Sequence, residues 1–307
     1  MIRWGIVATI KAPTSAVLNF VAHHLELGAH RIYVYLDEAD PATFALLKEH
    51  PKVRVKTCDD AYWAEHPRHP KKHQVRQSAN ATHAYARAEV DWLAHIDVDE
   101  FLCPKTSLAD QLAALPETAQ CARIYPAEAL AGDGTAFKLT KRLPYERAAS
   151  AEQLYPTYGK YLEGGFLSHV EGKLFARTGL KDVIFRIHNL LHGDIRNPGK
   201  AVLDDTILCH CHARSWDAFM AAYKFRLERG SYRADLAPMR VERRNRMTMH
   251  QLLSLITKHY GEQGLRAFYD ELHADTPDHR RRLAEQGLLH LCDLQLDQSR
   301  RKQFPSY

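Results

Sequence analysis

The chain has 307 residues, with 42 Lys+Arg against 37 Asp+Glu and a formal charge of +5. Its 45% hydrophobic and 26% charged content is ordinary globular usage, which excludes intrinsic disorder as the main state. No apolar run approaches the roughly 18–20 residues that span a bilayer, and MIRWGIVATIK has no small-residue cleavage site after it, so an unprocessed cytoplasmic protein is expected.

The elements read as follows. Residues 3–10 form a short apolar run, expected as a buried strand. Pro13 opens a helix whose apolar positions, Val17, Phe20, Val21, His24 and Leu25, recur at helical spacing until Gly28. RIYVYL, residues 31–36, is a second strand, and Pro41 starts a helix through Leu47. Residues 53–56 make a third strand, 77–89 a helix and 92–96 a fourth strand. Alternating strands and helices predict βαβ crossovers and a mostly parallel sheet. The polar segment 64–76 is expected as a surface loop. Weaker strand signals at 122–125, 136–139, 173–177 and 183–187 suggest a mixed sheet among loops. From Trp216 onward the pattern is helical. The expected organisation is therefore an α/β domain over 1–215 and a helical extension over 216–307. Neither G-x-G-x-x-G nor a P-loop occurs. The six cysteines make no C-x-x-C pair, and reduced thiols are expected.

The most informative stretch is WLAHIDVDEFL, residues 92–102. Alternation in a strand puts Asp97 and Asp99 on one side, at a strand end where α/β sheets bind ligands. Converging carboxylates repel unless a cation lies between them. Mg²⁺ and Mn²⁺ take oxygen ligands and also hold phosphates. The pattern reads as a metal bridging carboxylates to a diphosphate, or as a solvated acidic turn.

Several blocks in fixed order resemble family 2-type glycosyltransferases of the GT-A fold, in the bacterial branch related to family 92. They are KAPTSAVLNFVAHHLELGAHRIYVYLDEAD (11–40), RQSANATHAYARAEVDWLAHIDVDEF (76–101), EGKLFAR (171–177) and HCHARSWDAF (210–219). Three segments depart from that branch. Ala12-Pro13 replaces Asn-Glu, Ala39 replaces a serine, and the acceptor-side F-G-S-x-G survives only as Leu130-Ala131-Gly132-Asp133-Gly134.

The resemblance implies a GT-A type, Rossmann-like sheet and a hexosyltransferase that moves sugar, with inversion, from a UDP- or GDP-sugar to a hydroxyl. Mn²⁺ or Mg²⁺ would stabilise the leaving diphosphate, held by Asp97, Asp99 and His210, with His212 the rival histidine. Lys11, Asp37, Arg76, Gln77, Asn80, Asp97 and Lys173 would bind the donor, with helix capping and turn chemistry the alternative for Asp37 and Asp40. Arg177 is a further phosphate candidate beside Lys173. An inverting transfer needs a carboxylate base, for which Glu171, Asp133 and Asp194 qualify. His169 and His188 are candidates near the acceptor.

The acceptor would be a glycan or lipid-linked glycan of a bacterial surface polysaccharide such as lipopolysaccharide or exopolysaccharide. Arg240, Arg243, Arg244, Arg246 and Arg280–Arg282 read either as a peripheral contact with the inner membrane surface or as solvated helix faces. Nucleic acid is not expected, since no basic stripe interleaves with aromatics. A sugar-nucleotide nucleotidyltransferase is the rival enzyme, although no glycine follows the first strand at Lys11-Ala12-Pro13-Thr14. A non-catalytic glycan-binding module is the rival from another class.

Overall fold

The structure is a computed structural model and describes residues 1–307 apart from 67, 229, 231 and 237–246. In chain order the elements are β1 (Trp4–Ile10), α1 (Thr14–Glu26), β2 (Arg31–Leu36), α2 (Pro41–Glu49), β3 (Val53–Thr57), α3 (Asp60–Ala64), α4 (His73–Tyr85), β4 (Trp92–His95), β5 (Glu100–Pro104), α5 (Leu108–Ala113) and β6 (Cys121–Ala129). They continue with β7 (Ala136–Lys138), α6 (Pro144–Leu154), β8 (Lys173–Arg177), β9 (Val183–Phe185), β10 (Leu190–His192), β11 (Ile195–Arg196) and β12 (Lys200–His210). The last are α7 (Trp216–Glu228), α8 (Met249–His273), α9 (Pro277–Glu285), β13 (Leu289–Leu291) and α10 (Leu296–Gln303).

Two compact units are present, each assembled from separate stretches of chain: 1–125 with 171–208 and 294–307, and 126–170 with 209–293. This division replaces the single expected boundary at 215. The chain leaves the first unit within β6 and returns to it twice, and its last helix settles back on the first.

In the first unit, β1, β2, β3 and β4 are mutually parallel in the order β3-β2-β1-β4. The order continues through β8, antiparallel to β4, and β6, antiparallel to β8. WGIVATI is buried along its whole length, which is why its pattern is a continuous apolar run rather than an alternation. Gly28 stands at φ +95°, a left-handed position that ends α1 at little steric cost. α10 packs on α1, where Arg300 donates to Asn19 Oδ1 at 2.7 Å. β5, which the sequence reading missed, pairs with β12. It is locked to α1 by two histidines: His23 Nε2 meets the Leu102 carbonyl at 2.8 Å, and the Leu102 N–H donates to His24 Nε2 at 3.3 Å.

The predicted strands 31–36 and 173–177 coincide with β2 and β8. The predicted helix 77–89 lies earlier, at 73–85, so part of the expected surface loop is helical. Its buried face, Gln77, Asn80, Ala81 and Ala84, sets that register.

In the second unit the end of β6 pairs antiparallel with β7, which pairs with β13. Leu253, Phe268, Tyr269 and Leu272 of α8 pack into one core with Phe219 and Leu154. α8 is interrupted at Gly261, whose φ is +58°. Cys58, Cys121, Cys209 and Cys211 are outside any disulfide, whereas Cys103 and Cys292 are disulfide-bonded, correcting the expectation of six reduced cysteines.

Candidate active site

The parallel strands β1, β2 and β4 end side by side, with Ile10 opposite Leu36 and Val7 opposite His95. The next residues are Lys11, Asp37 and the Asp97–Asp99 turn, so three sequence-predicted groups reach the carboxyl edge of one sheet. A long polar side chain from α4 meets each of the two acids nearest the sheet.

Arg76 grips Asp37 with two parallel bonds, Nε to Oδ1 at 2.7 Å and Nη2 to Oδ2 at 2.6 Å. The same guanidinium donates to the carbonyls of Pro70 and Lys71, tying the preceding loop to the pair. Burial alone would raise the Asp37 pKa, but Arg76 and His73 hold it down to about 2. Lys11 pairs with Glu38 at the exposed end of β2. Asp40 caps α2 by accepting from the Thr43 N–H at 3.0 Å, so the capping alternative describes it.

Asp97 is the hub. Its Oδ1 accepts from Gln77 Nε2 at 2.6 Å and its Oδ2 from Lys173 Nζ at 2.6 Å. Glu100, absent from the sequence-predicted site, shapes the turn: its Oε2 accepts the Asp97 N–H at 2.8 Å and lies 3.3 Å from Lys173 Nζ. Lys173 and Glu100 are fully buried, whereas the Asp97 side chain stays 28% exposed. Burial would lower the Lys173 pKa, but the charges of Asp97 and Glu100 raise it, so the ammonium is retained. Asp99, in the turn itself, is half-buried.

Lys173 owes its place to a clamp that the sequence reading also missed. Arg123, itself buried, donates to the Glu171 carbonyl at 2.5 Å and to the His188 carbonyl at 2.9 Å. His188 Nδ1 lies 2.8 Å from the Gly172 carbonyl. Gly172 has φ +68°, and a Cβ there would sit 2.0 Å from the Ile124 carbonyl oxygen. Only glycine lets the chain turn this tightly into β8. Arg123 interrupting an otherwise apolar strand, CARIY, was the available signal.

Asn80 is placed differently from its prediction. It is 0% exposed and its amide is spent on Thr9 Oγ1 at 3.0 Å and the Tyr62 hydroxyl at 2.7 Å. It braces α4 against the sheet and has no face left for a ligand. Arg177 is occupied by the carbonyls of Ala119 and Pro116 and by the Trp92 ring. Glu171 is exposed beside the clamp.

In the second unit, His210 ends β12, with its ring 5.6 Å from that of His169 and 5.1 Å from that of His212. The predicted rivals thus form one histidine group, with His212 Nε2 3.3 Å from the Tyr232 hydroxyl. Asp133 is a turn residue: Oδ1 accepts the Thr135 N–H at 2.8 Å and its hydroxyl at 2.6 Å. These bonds, with Arg280, hold its pKa below the usual carboxylate range. Arg280, Arg281 and Arg282 are engaged by Asp275, Asp278 and Glu285, which favours the solvated helix over a basic membrane face. Arg240, Arg243, Arg244 and Arg246 lie outside the described residues. Among the described residues, no helix is long and apolar enough to cross a membrane.

Residues 7–120 match glycosyltransferase family 92. No curated protein matches the chain. Among solved structures, HddC from Yersinia pseudotuberculosis is similar at 13% identity over 46% of this chain and 65% of its own, with a TM-score of 0.30. The galactosyltransferase LgtC, solved with donor and acceptor sugar analogs, is similar at 16% identity over 56% and 57%, with a TM-score of 0.30. TarS 1–349 of S. aureus is similar at 14% identity over 99% and 91%, with a TM-score of 0.38. The chain therefore spans 65% of the first of these proteins and 57% of the second. The family match covers the strands whose ends carry Lys11, Asp37 and Asp97, and it bears out the resemblance: over this span the chain is similar to glycosyltransferase family 92.

Proposed function

We propose that the chain transfers a sugar, with inversion, from a UDP- or GDP-sugar to a hydroxyl of a glycan or lipid-linked glycan in bacterial surface polysaccharide synthesis. The observation that carries this reading is the Gln77–Asp97–Lys173 arrangement at the end of β4. A partly exposed carboxylate is held rigidly there by two donors on buried elements. Such a group can accept hydroxyl hydrogen bonds from a ribose while its ammonium neighbour faces phosphate oxygens. The Asp37–Arg76 pair, at the end of β2 on the far side of β1, would border the base.

A divalent cation fits the donor chemistry of the turn. Asp99 supplies hard carboxylate oxygens of the kind Mg²⁺ and Mn²⁺ prefer. Both Asp97 oxygens already carry strong donors, so Asp97 would touch such an ion less directly than Asp99. His210 keeps its candidacy as a ligand through its place in the HCHARSWDAF block. When bound, the ion would supply positive charge against the departing diphosphate. The chain's own contribution is electrostatic preorganisation: Lys173 is fixed before the donor arrives and needs no reorganisation as charge builds. Glu171 is the base we favour, because its backbone is clamped by Arg123 and its carboxylate faces solvent. Cytoplasmic residence follows from the expected donor.

The test is a panel of UDP-, GDP-, CMP- and TDP-sugars, with and without Mn²⁺, read by thermal shift and by nucleotide release. A metal-dependent shift with a UDP- or GDP-sugar, lost in Asp99→Asn, is expected. Pyrophosphate release from a nucleoside triphosphate would favour a nucleotidyltransferase instead. Silence toward every donor would leave the binding-module reading in possession.

A further inference from the structure

We propose that the second unit contains a binding site for an anionic amphiphile, which on the glycosyltransferase reading would be the lipid carrier of the acceptor. The starting observation is a cavity of about 850 Å³ between the 157–161 turn and α8. That volume lies in the range of pockets that hold small ligands, roughly 300–1,000 Å³.

The cavity is built into the backbone. Glu271 Oε1 accepts the N–H groups of Thr157 and Tyr158, each at 3.0 Å, fixing the turn that forms one wall. Gly159 anchors the same turn so tightly that a Cβ would sit 2.0 Å from the Ala151 carbonyl oxygen. Opposite, α8 breaks at Gly261, with φ +58°, and Gly264 also lines the cavity. A Cβ at 264 would lie 2.4 Å from that of Tyr260.

The lining decides the ligand class. Leu252, Leu255 and Ile256 supply an aliphatic surface, and Tyr158, Tyr161 and Tyr260 supply aromatic walls. Leu255 and Tyr260 are 42% and 71% exposed, so the apolar surface reaches the mouth. Lys160 and His259 also line the cavity, and none of the described lining residues is acidic. The Lys160 ammonium stands 5.1 Å from the centre of the Tyr161 ring. A neutral oligosaccharide is usually gripped by carboxylates that accept from its hydroxyls; the described lining offers tyrosine hydroxyls, Lys160, His259, Gln263 and Thr157 but no carboxylate. A hydrocarbon body gains from the leucines and tyrosines by leaving water, and a phosphate head complements the Lys160 ammonium.

The experiment is titration calorimetry on the full chain with farnesyl phosphate, farnesol, inorganic phosphate and maltotriose. Farnesyl phosphate should bind, farnesol about tenfold more weakly, and the other two not measurably. Ala267→Trp should weaken farnesyl phosphate by tenfold or more, as should Leu255→Glu, a change at an exposed position that leaves the core intact. Lys160→Ala should erase the preference for the phosphate over the alcohol. Failure of farnesyl phosphate to bind overturns the proposal. So does binding indifferent to both Ala267→Trp and Leu255→Glu, which would be adsorption. Binding of inorganic phosphate alone, or of maltotriose in a manner lost in Ala267→Trp, overturns it in favour of a simple anion site or a glycan site. A UDP-sugar titration on the same samples separates the two readings. Farnesyl phosphate binding with no donor binding would keep the site and remove its assignment to an acceptor.

Discussion

Two buried ion pairs use the same chemistry to different ends. In the first unit, Lys173 is fully buried but Asp97 is 28% exposed. In the second, register sets Glu128 opposite Lys138, and both side chains are 0% exposed at 3.3 Å. Glu128 also accepts from the N–H groups of Leu167 and Ser168, at 3.0 and 2.8 Å, while Lys138 donates to the carbonyls of Gly165 and Leu272. Burial would raise the Glu128 pKa, but Lys138, His273 and His212 hold it well below the carboxylate range. Every strong valence of the sealed pair is spent inside the protein, so it fastens the 165–168 loop. The strand-end pair keeps its carboxylate partly exposed, which is why we propose it as a site.

The largest effect should come from breaking the sealed pair. Glu128→Ala leaves a buried ammonium unpaired, which typically costs about 3–5 kcal/mol. Urea unfolding should show that loss, with donor affinity unchanged in whatever fraction stays folded. A near-neutral result would mean that Lys138 simply deprotonates and that the pair is less important than its geometry suggests.

Next comes Asp99→Asn. Loss of a group that stabilises developing charge costs about 10²–10³ in turnover. That range is expected here, with the urea midpoint unchanged because Asp99 sits in a half-buried turn. A variant with full turnover would remove Asp99 from the chemistry.

What sequence made visible follows the same contrast. β1, β2, α1 and α2 were legible because their signals are local: a fully apolar run, β-branched and aromatic residues, Pro and Gly as punctuation. The strand-end site was legible in part, since Asp37, Arg76, Gln77, Asp97 and Lys173 do assemble in pairs. Asn80 has the same polarity as Gln77 and lies three residues on, yet its partners, Thr9 and Tyr62, come from distant segments that no local pattern reveals. Glu128, Lys138 and Arg123 were overlooked because a charge in sequence reads as exposed by default. Their apolar neighbours, in IYPAEALA and AFK, were the hint. The discontinuous units were illegible because chain returns at 171 and 294 are tertiary facts.

Acid should sharpen the comparison. His24 and His273 are 0% exposed and His95 is 1% exposed, and burial lowers the pKa of each, for His95 to about 4. The unfolded chain takes up these protons near 6.5 while the folded chain resists. Stability from these groups is therefore complete above about pH 6.5 and lost as pH falls from there toward 4. Each such histidine contributes a slope of about 1.4 kcal/mol per pH unit in that window. Asp37, held to about 2, acts only at lower pH, as pH falls from the ordinary carboxylate range toward 2. Urea midpoints at pH 7.5, 6.0 and 5.0 should fall steadily. A flat profile would mean that the buried imidazoles are rehydrated.

The smallest effect is expected at Asp133, and it separates that residue from Glu171 as the base. Asp133 is exposed, committed to Thr135 and approached by Arg280, which keeps it a weak proton acceptor. Glu171 has its backbone fixed by Arg123 and its side chain exposed. Asp133→Asn should leave kcat and Tm nearly unchanged, because the amide oxygen still accepts from Thr135. Glu171→Gln should lower kcat by about 10²–10⁴, the usual worth of a positioned base, with little change in donor affinity. If Asp133→Asn alone abolished turnover, the chemistry would belong to the Gly-flanked loop 132–134. Equal tolerance of both changes would direct attention to Asp194, the remaining carboxylate of the three.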